Sequence, residues 1–250
     1  WNAKQKAPWS VATLPAYDVV FTPRRANLGQ FRDIGVKRLH YLPFAYDPEI
    51  HKPWPAEARQ ERKCDVLFVG GCDEDRLSLM SDLARAGFNL ALFGGYWDRH
   101  ELTRPFARGI ADQDAIRSAS ASAGITLCLV RRANRDEHVM RSYEAAAIGG
   151  CILAEDTCDH RNLFGDAACY FATNDDLIKK VMALSNDAHT RSMLANRLRA
   201  RLRDDRDSYA SRLSEIVDVA LQSTPFRVAR VPSPGRVSRE HISSSEPTEV

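Results

Sequence analysis

DEHVMRSYEAAAIGGCILAED, residues 136–156, decides how the rest of the chain is read. A short apolar run (125–130) and a basic loop (131–135) precede it, and it ends in a second apolar run (151–154). That order is strand, loop, helix, turn, strand. Residues 137–148 predict a helix because they are rich in Ala, Met and Glu, contain neither Pro nor Gly, and stop at Gly149-Gly150. Asp136 stands where an N-cap would stand. At about 100° per residue, Val139, Tyr143, Ala146 and Ala147 fall on one arc, expected to pack on a sheet, and His138, Arg141 and Glu144 fall on the opposite one.

A helix N-terminus after a parallel strand offers N–H groups and partial positive charge to a phosphate. His138 and Arg141 add to that charge. Glu144 lies roughly 9 Å further along the axis than His138, where a carboxylate can accept two hydrogen bonds from a ribose whose phosphates sit over the first turn. The same arc also fits the solvated face of an ordinary surface helix.

A hydrophobic fraction of 44% and a charged fraction of 27% over 250 residues suit one large or two small globular domains. A net charge of +2 is too small to imply a nucleic-acid partner. No apolar run approaches the roughly 20 residues that cross a bilayer, so no transmembrane segment is expected. The six cysteines form no CxxC pair and several lie in or beside apolar runs, which predicts reduced thiols of a cytoplasmic protein. The chain opens on Trp1 with no signal peptide after it, and reads as a fragment of a longer polypeptide.

Along the chain, residues 1–15 show no period, 17–21 (YDVVF) and 38–42 predict strands, and 24–33 predicts a helix between them. Residues 43–63 hold four Pro and many charges, a linker with aromatic anchors at Phe44, Tyr46 and Trp54. A fresh alternation follows: strands at 65–70, 89–94, 125–130, 151–154 and 169–172, and helices at 74–87, 112–123, 137–148, 160–164, 174–185, 187–204 and 206–222. Such alternation predicts an α/β fold, a Rossmann-like doubly wound parallel sheet, with sites at the carboxyl ends of its strands. From Thr224 onward, Pro, Ser and Arg with hardly any large apolar residue predict a disordered tail.

Each strand end carries usable groups. Gly70-Gly71 lets backbone approach a ligand, and Arg76 can hold a phosphate oxygen, although a plain turn with an exposed Arg fits as well. No GxGxxG follows, which disfavours NAD. Tyr96 or Trp97 can flank a base or sugar, or simply pack the loop after Gly94-Gly95. Arg131-Arg132 ends the third core strand, with a solvated pair as the alternative. Residues 155–160 (EDTCDH) resemble ordinary acidic chemistry before a helix more than a metal site. No Ser-His-Asp order, P-loop or HExxH appears.

Taken together, YDVVFTP, YLPFAYDPEIHKP, DVLFVGG with Arg76, LFGGYW and above all HVMRSYEAAAIGGCILAED resemble the nucleotide-sugar-binding half of GT-B glycosyltransferases, in the CgeB/YkvP-like group of "glycosyl transferases group 1", from about residue 17 to 221. The resemblance implies a remnant of an acceptor-side domain at 1–42, a donor domain at 64–205 and a return helix at 206–222. It implies a glycosyltransferase that moves a sugar from a nucleoside diphosphate to an acceptor hydroxyl with retention, with no metal and no cofactor beyond the donor substrate. Related enzymes carry two acidic residues eight apart, the later at the ribose and the earlier near the donor sugar. That spacing falls on Asp136 and Glu144, with Asp in place of the usual Glu. Arg76 is similar to the basic residue that neutralises the diphosphate, but Gly71 and Leu77 stand beside it and leave the usual basic pair incomplete. The resemblance thus implies Asp136 and His138 as catalytic residues, and Gly70, Gly71, Arg76, Tyr96, Arg131, Arg141 and Glu144 as donor-binding residues. With most of the first domain missing, a fragment can bind without turnover. A non-catalytic sugar-nucleotide binding module and a sugar-nucleotide epimerase remain the competing functions.

Overall fold

The computed structural model describes residues 8–55 and 62–222. The expected tail, part of the linker and the first seven residues lie outside the described residues. The elements are α1 (Pro8–Ala12), β1 (Val20–Thr22), α2 (Ala26–Asp33), β2 (Leu39–Tyr41), β3 (Cys64–Val69), α3 (Glu74–Arg85), β4 (Leu90–Phe93), β5 (Ala107–Gly109), α4 (Gln113–Ser122), β6 (Ala123–Cys128), α5 (Met140–Ile148), β7 (Ile152–Glu155), α6 (Cys158–Phe164), β8 (Cys169–Phe171), α7 (Asn174–Asn186), α8 (Ala188–Arg201), α9 (Asp204–Asp207) and α10 (Tyr209–Leu221). Among the described residues no helix is long and apolar enough to cross a membrane.

β1 and β2 form a two-stranded parallel sheet, and the other strands form a six-stranded sheet in the order β5-β4-β3-β6-β7-β8. All its pairings are parallel. Helices cover both faces, so the central strands are apolar on both sides. Val66, Phe68, Leu92, Ile125 and Leu127 pack with Leu83 of α3 and Val181 of α7. On the other face Cys128, Ile152 and Ala154 meet Ala145 and Ala146 of α5, with Phe164 and Leu198. Side-chain caps start several helices: Asp73 accepts from Arg76 N, Asp112 from Ala115 N, Thr157 from His160 N and Thr173 from Asp176 N.

The central helix differs from its expected form at both its start and its faces. It opens at Met140 with Val139 as N-cap, not at Glu137 behind an Asp136 cap. Tertiary pairs account for the delay: Asp136 is drawn to Arg24, the Glu137 carbonyl accepts from Thr157 Oγ1, and His138 is pulled into a buried cluster. The end is as expected, with Gly149 at φ 92° and the Gly150 N–H on the Ala145 carbonyl. Ala145 and Ala146 face the sheet, whereas Tyr143 and Ala147 pack under Tyr46 of the linker. The polar arc is not solvated either, since His138 and Glu144 are buried.

Other departures are local. β5 and α1 have no counterpart in the sequence reading. The helix expected over 206–222 breaks at Ser208, whose extended backbone caps α10 and forms a parallel bridge with Tyr46. Trp97 is fully buried and donates from Nε1 to the Gly70 carbonyl, which makes it a packing anchor and leaves only Tyr96 exposed. Cys64, Cys128 and Cys151 are buried, Cys158 is exposed, and all six thiols are free.

The two sheets meet along a polar seam centred on Asp159, which is 1% exposed. Its Oδ1 accepts from Arg25 Nε at 2.6 Å and its Oδ2 from the Tyr41 hydroxyl at 2.8 Å, with His138 Nδ1 at 3.2 Å from Oδ2. Burial would raise this carboxyl, but the three partners outweigh it and hold the group at about 2. Beside it His160 donates from Nδ1 to the Glu155 carbonyl at 2.8 Å and accepts from the Ser142 hydroxyl at Nε2, 3.0 Å away. Burial lowers His160 from the ordinary 6.5 to about 4.

Two outcomes follow for stability. Because the folded His160 refuses a proton that the unfolded chain accepts, its contribution is complete above pH 6.5 and is lost as pH falls toward 4. The loss should be roughly 3 kcal/mol in denaturant unfolding, and an NMR titration placing His160 near 6.5 would contradict it. Gly94 has φ 129°, and a Cβ there would stand 2.4 Å from the Gly70 carbonyl oxygen. Gly94→Ala should therefore cost about 2 kcal/mol or more. Gly95→Ala, with nothing within 4 Å, should stay within about 0.5 kcal/mol.

Candidate functional site

The chain runs outward from β3 through β4 to β5, then returns to place β6 on the other side of β3. In an open parallel sheet that reversal leaves a crevice beyond the carboxyl ends of the two central strands. A cavity of about 170 Å³ lies there, lined by Phe68 and Val69 of β3, Leu129 after β6, Arg76 of α3, and Met140 and Arg141 of α5. A second cavity of about 230 Å³ lies on the other side of Arg76, with Val130, Arg132 and Glu155 in its wall. Val139 offers no side-chain cap, so the first turn of α5 presents its N–H groups and the positive end of its dipole toward this region.

Arg76 is the charge shared by the two cavities. Its side chain is 12% exposed, its Nη1 donates to the Gly71 carbonyl at 3.1 Å, and it lies 3.5 Å from Asp73 Oδ2. Burial lowers its pKa from 12.5, with Asp73 opposing, yet the guanidinium stays a cation. Its Nε is buried and makes no hydrogen bond. Gly70 and Gly71 divide their roles. The Phe68 ring lies where a Gly70 Cβ would go, whereas the nearest atom to a Gly71 Cβ is 3.9 Å away. Arg131 is half-exposed and 3.6 Å from Asp73. Arg132 donates to Glu155 Oε1 at 3.0 Å, and Glu155 Oε2 accepts from Val130 N at 2.6 Å.

Arg141 and Glu144 form the buried end of the site. Arg141 Nη1 stands 2.5 Å from Glu144 Oε2, with side chains 18% and 5% exposed. Despite that approach, Arg141 Nε and Nη1 and Glu144 Oε2 make no aligned hydrogen bond. On the far side His51 Nε2 is 3.6 Å from Glu144 Oε1. The linker therefore closes over a face expected to be open.

Asp136 and His138 point toward the first sheet. Asp136 Oδ1 accepts from Arg24 Nε at 2.5 Å, and its Oδ2 accepts from Asn134 Nδ2 at 3.4 Å. His138 is 1% exposed and its Nε2 accepts from Phe44 N at 3.1 Å, which leaves the ring proton on Nδ1 facing Asp159. It is thus a buried strut between the units and adds no charge over the helix end. Tyr96 lines neither of these two cavities. It sits at φ 74°, rare for a bulky residue, with Arg99 stacked 4.2 Å over its ring. The structure thus brings Arg76 and Arg141 to one cavity, with Glu144 behind Arg141 and in the wall of neither cavity, sets Asp136 and His138 at the seam, and leaves Tyr96 on another loop. Sequence reasoning missed Arg24 and His51, and set Glu155 and Asp159 aside as ordinary acidic residues before a helix. Of the two missed, Arg24 was within reach of the strand-end rule, since it stands just past the end of β1.

The fold is similar to sucrose-phosphate synthase from Thermosynechococcus elongatus, with a TM-score of 0.63 and 13% identity over 85% of this chain and 60% of that one. It is similar to Anabaena HepE in complex with UDP-glucose, with a TM-score of 0.68 and 12% identity over 88% of this chain and 68% of that one. A third is S. aureus TarM, in a complex that includes UDP, with a TM-score of 0.64 and 11% identity over 86% of this chain and 46% of that one. The chain therefore spans less than two thirds of the length of two of these proteins. At such identities the likeness is one of fold, that of the Rossmann-like domains of GT-B glycosyltransferases. No curated protein sequence matches the chain. The family described as "Glycosyl transferase-like" matches residues 76–218. That stretch covers more than half of the sequence, and the chain belongs to the glycosyl transferase-like family.

Proposed function

We propose that this chain is the donor-binding part of a glycosyltransferase that moves a sugar from a nucleoside diphosphate to an acceptor hydroxyl. One observation carries the reading. Arg76 and Arg141 in the wall of the switch-point crevice, and Glu144 behind Arg141, hold buried polar atoms without hydrogen bonds, beside an uncapped helix N-terminus. Buried polar groups are nearly always satisfied, and a nucleoside diphosphate supplies what these lack. The diphosphate accepts from Arg76 Nε, Arg141 and the first turn of α5, and the pentose hydroxyls donate to Glu144. Turning Arg141 to the diphosphate breaks a buried ion pair with Glu144, a cost that the nucleotide's contacts with both groups offset.

In transfer, the bond from the anomeric carbon to the diphosphate oxygen breaks, the acceptor oxygen bonds that carbon, and the proton of the acceptor hydroxyl passes to the departing diphosphate. The groups proposed here act on the leaving diphosphate through fixed positive charge. The resemblance to group-1 enzymes of the CgeB/YkvP-like kind supports retention and a metal-independent step, and the UDP complexes of HepE and TarM support a nucleotide donor. We assign residues up to 42 to the acceptor-side domain, 43–63 to the linker, 64–205 to the donor domain and 206–222 to a helix that returns to the first. The bond from Arg38 Nη2 to the Val219 carbonyl at 2.8 Å supports that return. Six free thiols support a cytoplasmic setting. A second reading, a non-catalytic sugar-nucleotide binding module, is favoured by the Arg24–Asp136 pair, which occupies the carboxylate expected near the donor sugar.

UDP, GDP or ADP should raise the melting temperature by mass action, and NAD should not. If none of the three stabilises the chain, the donor reading fails. Glu144→Ala should weaken the stabilising nucleotide by about 1.5–3 kcal/mol while the domain stays folded. Unchanged affinity in calorimetry would remove the pentose role. Transfer or donor hydrolysis by the protein separates an enzyme from the binding module.

A further inference from the structure

The linker carries a histidine that no helical or strand period singles out. His51 is 3% exposed, although it lies in a segment rich in Pro and charge. A closed turn fixes its ring: His51 N donates to the Asp47 carbonyl at 2.8 Å, and Asp47 N donates to His51 Nδ1 at 2.9 Å. Because Nδ1 accepts, the proton of the neutral ring is on Nε2. That N–H points at the Glu144 carboxylate, with Nε2 at 3.6 Å from Oε1, and it makes no hydrogen bond. The charged groups acting on the imidazole are Glu144, Arg141 and Asp47, and burial is the largest influence, lowering its pKa. It faces the carboxylate as a neutral donor.

We propose that His51 is a positioning residue of the nucleotide site, donating from Nε2 to Glu144 Oε1 when ligand is bound and so fixing the carboxylate plane for the pentose hydroxyls. The inference rests on the pentose role proposed above for Glu144. The gap of 3.6 Å needs to close by only about 0.6 Å to reach ordinary hydrogen-bond length. Arg141 holds the other oxygen, so its departure toward the diphosphate leaves the carboxylate without a lateral restraint unless His51 supplies one. The restraint comes from the linker, which makes donor affinity depend on the order of the segment that joins the two units.

The test titrates UDP, GDP and ADP by calorimetry into the chain and its His51→Phe, His51→Asn, His51→Gln and Glu144→Ala variants, with the double variants. Removing the donor with Phe, or with Asn, which can still accept from Asp47 N, should weaken the bound nucleotide about tenfold. Gln reaches the Nε2 position and should restore affinity to within about threefold. In the Glu144→Ala background the same His51 changes should add less than about twofold, since a residue acting through another shows non-additive effects. A merely structural histidine would give losses that add. If Phe does not fold, the Asn and Gln pair decides the matter. Wild-type affinity in the Asn variant, or additive losses, overturns the role of His51 while leaving Glu144 intact. Unchanged affinity in Glu144→Ala alone overturns the pentose reading, and this inference with it.

Discussion

Backbone groups in β3 and β6 are buried on both faces of the sheet, so their N–H and C=O groups must be satisfied by the neighbouring strands. Val66 pairs with Leu90 on one side and Ile125 on the other, and Leu67 with Ala91 and Thr126. Only beyond the last paired residue does the backbone become available to anything else. Since all strands run the same way, those free ends lie at one edge. There the close approach of Gly70 to Gly94, the guanidinium of Arg76 and the start of α5 converge. The site is the place where this regular pairing stops.

The arrangement beside that edge depends on charge. Asp159 holds Arg25, Tyr41 and His138 at once, and Arg24 holds Asp136. A buried carboxylate with three donors around it is stable only while all of them stay in place. The seam therefore sets where α5 can begin. The first turn predicted for residues 137–139 is spent on contacts with α6 and the first sheet, and the helix opens at Met140.

Local signals in the sequence survived folding wherever a single segment decided the outcome. Apolar runs located β3, β4, β6, β7 and β8, the alternation gave their parallel direction, and Gly149-Gly150 ended α5. β5 was missed because Ala107–Gly109 is a short edge strand with no apolar run to mark it. Strand-end and helix-face rules point to Arg76, Arg141 and Glu144, and the structure places the first two in one cavity wall and Glu144 behind Arg141. The burial of Glu144, the engagement of Asp136 and the whole contribution of His51 were not legible. Each depends on a partner far away in the chain or in the linker, and periodicity carries no information about such pairs. Tyr96 and Trp97 could not be told apart from composition, and the hydrogen bond to the Gly70 carbonyl is what sends one inward.

The bonds that join the first sheet to the rest span long stretches of chain. Arg24 and Asp136 are 112 positions apart, Tyr41 and Asp159 118, Arg25 and Asp159 134, and Arg38 and Val219 181. During synthesis β1, β2 and α2 leave the ribosome long before any of these partners exists. Contacts of this range form late, after the loops between them have been closed at an entropic cost. The six-stranded layer can assemble from neighbouring segments as they appear. The first sheet must wait for α10 before its last tie is made, so its seating on the seam is among the final events of maturation.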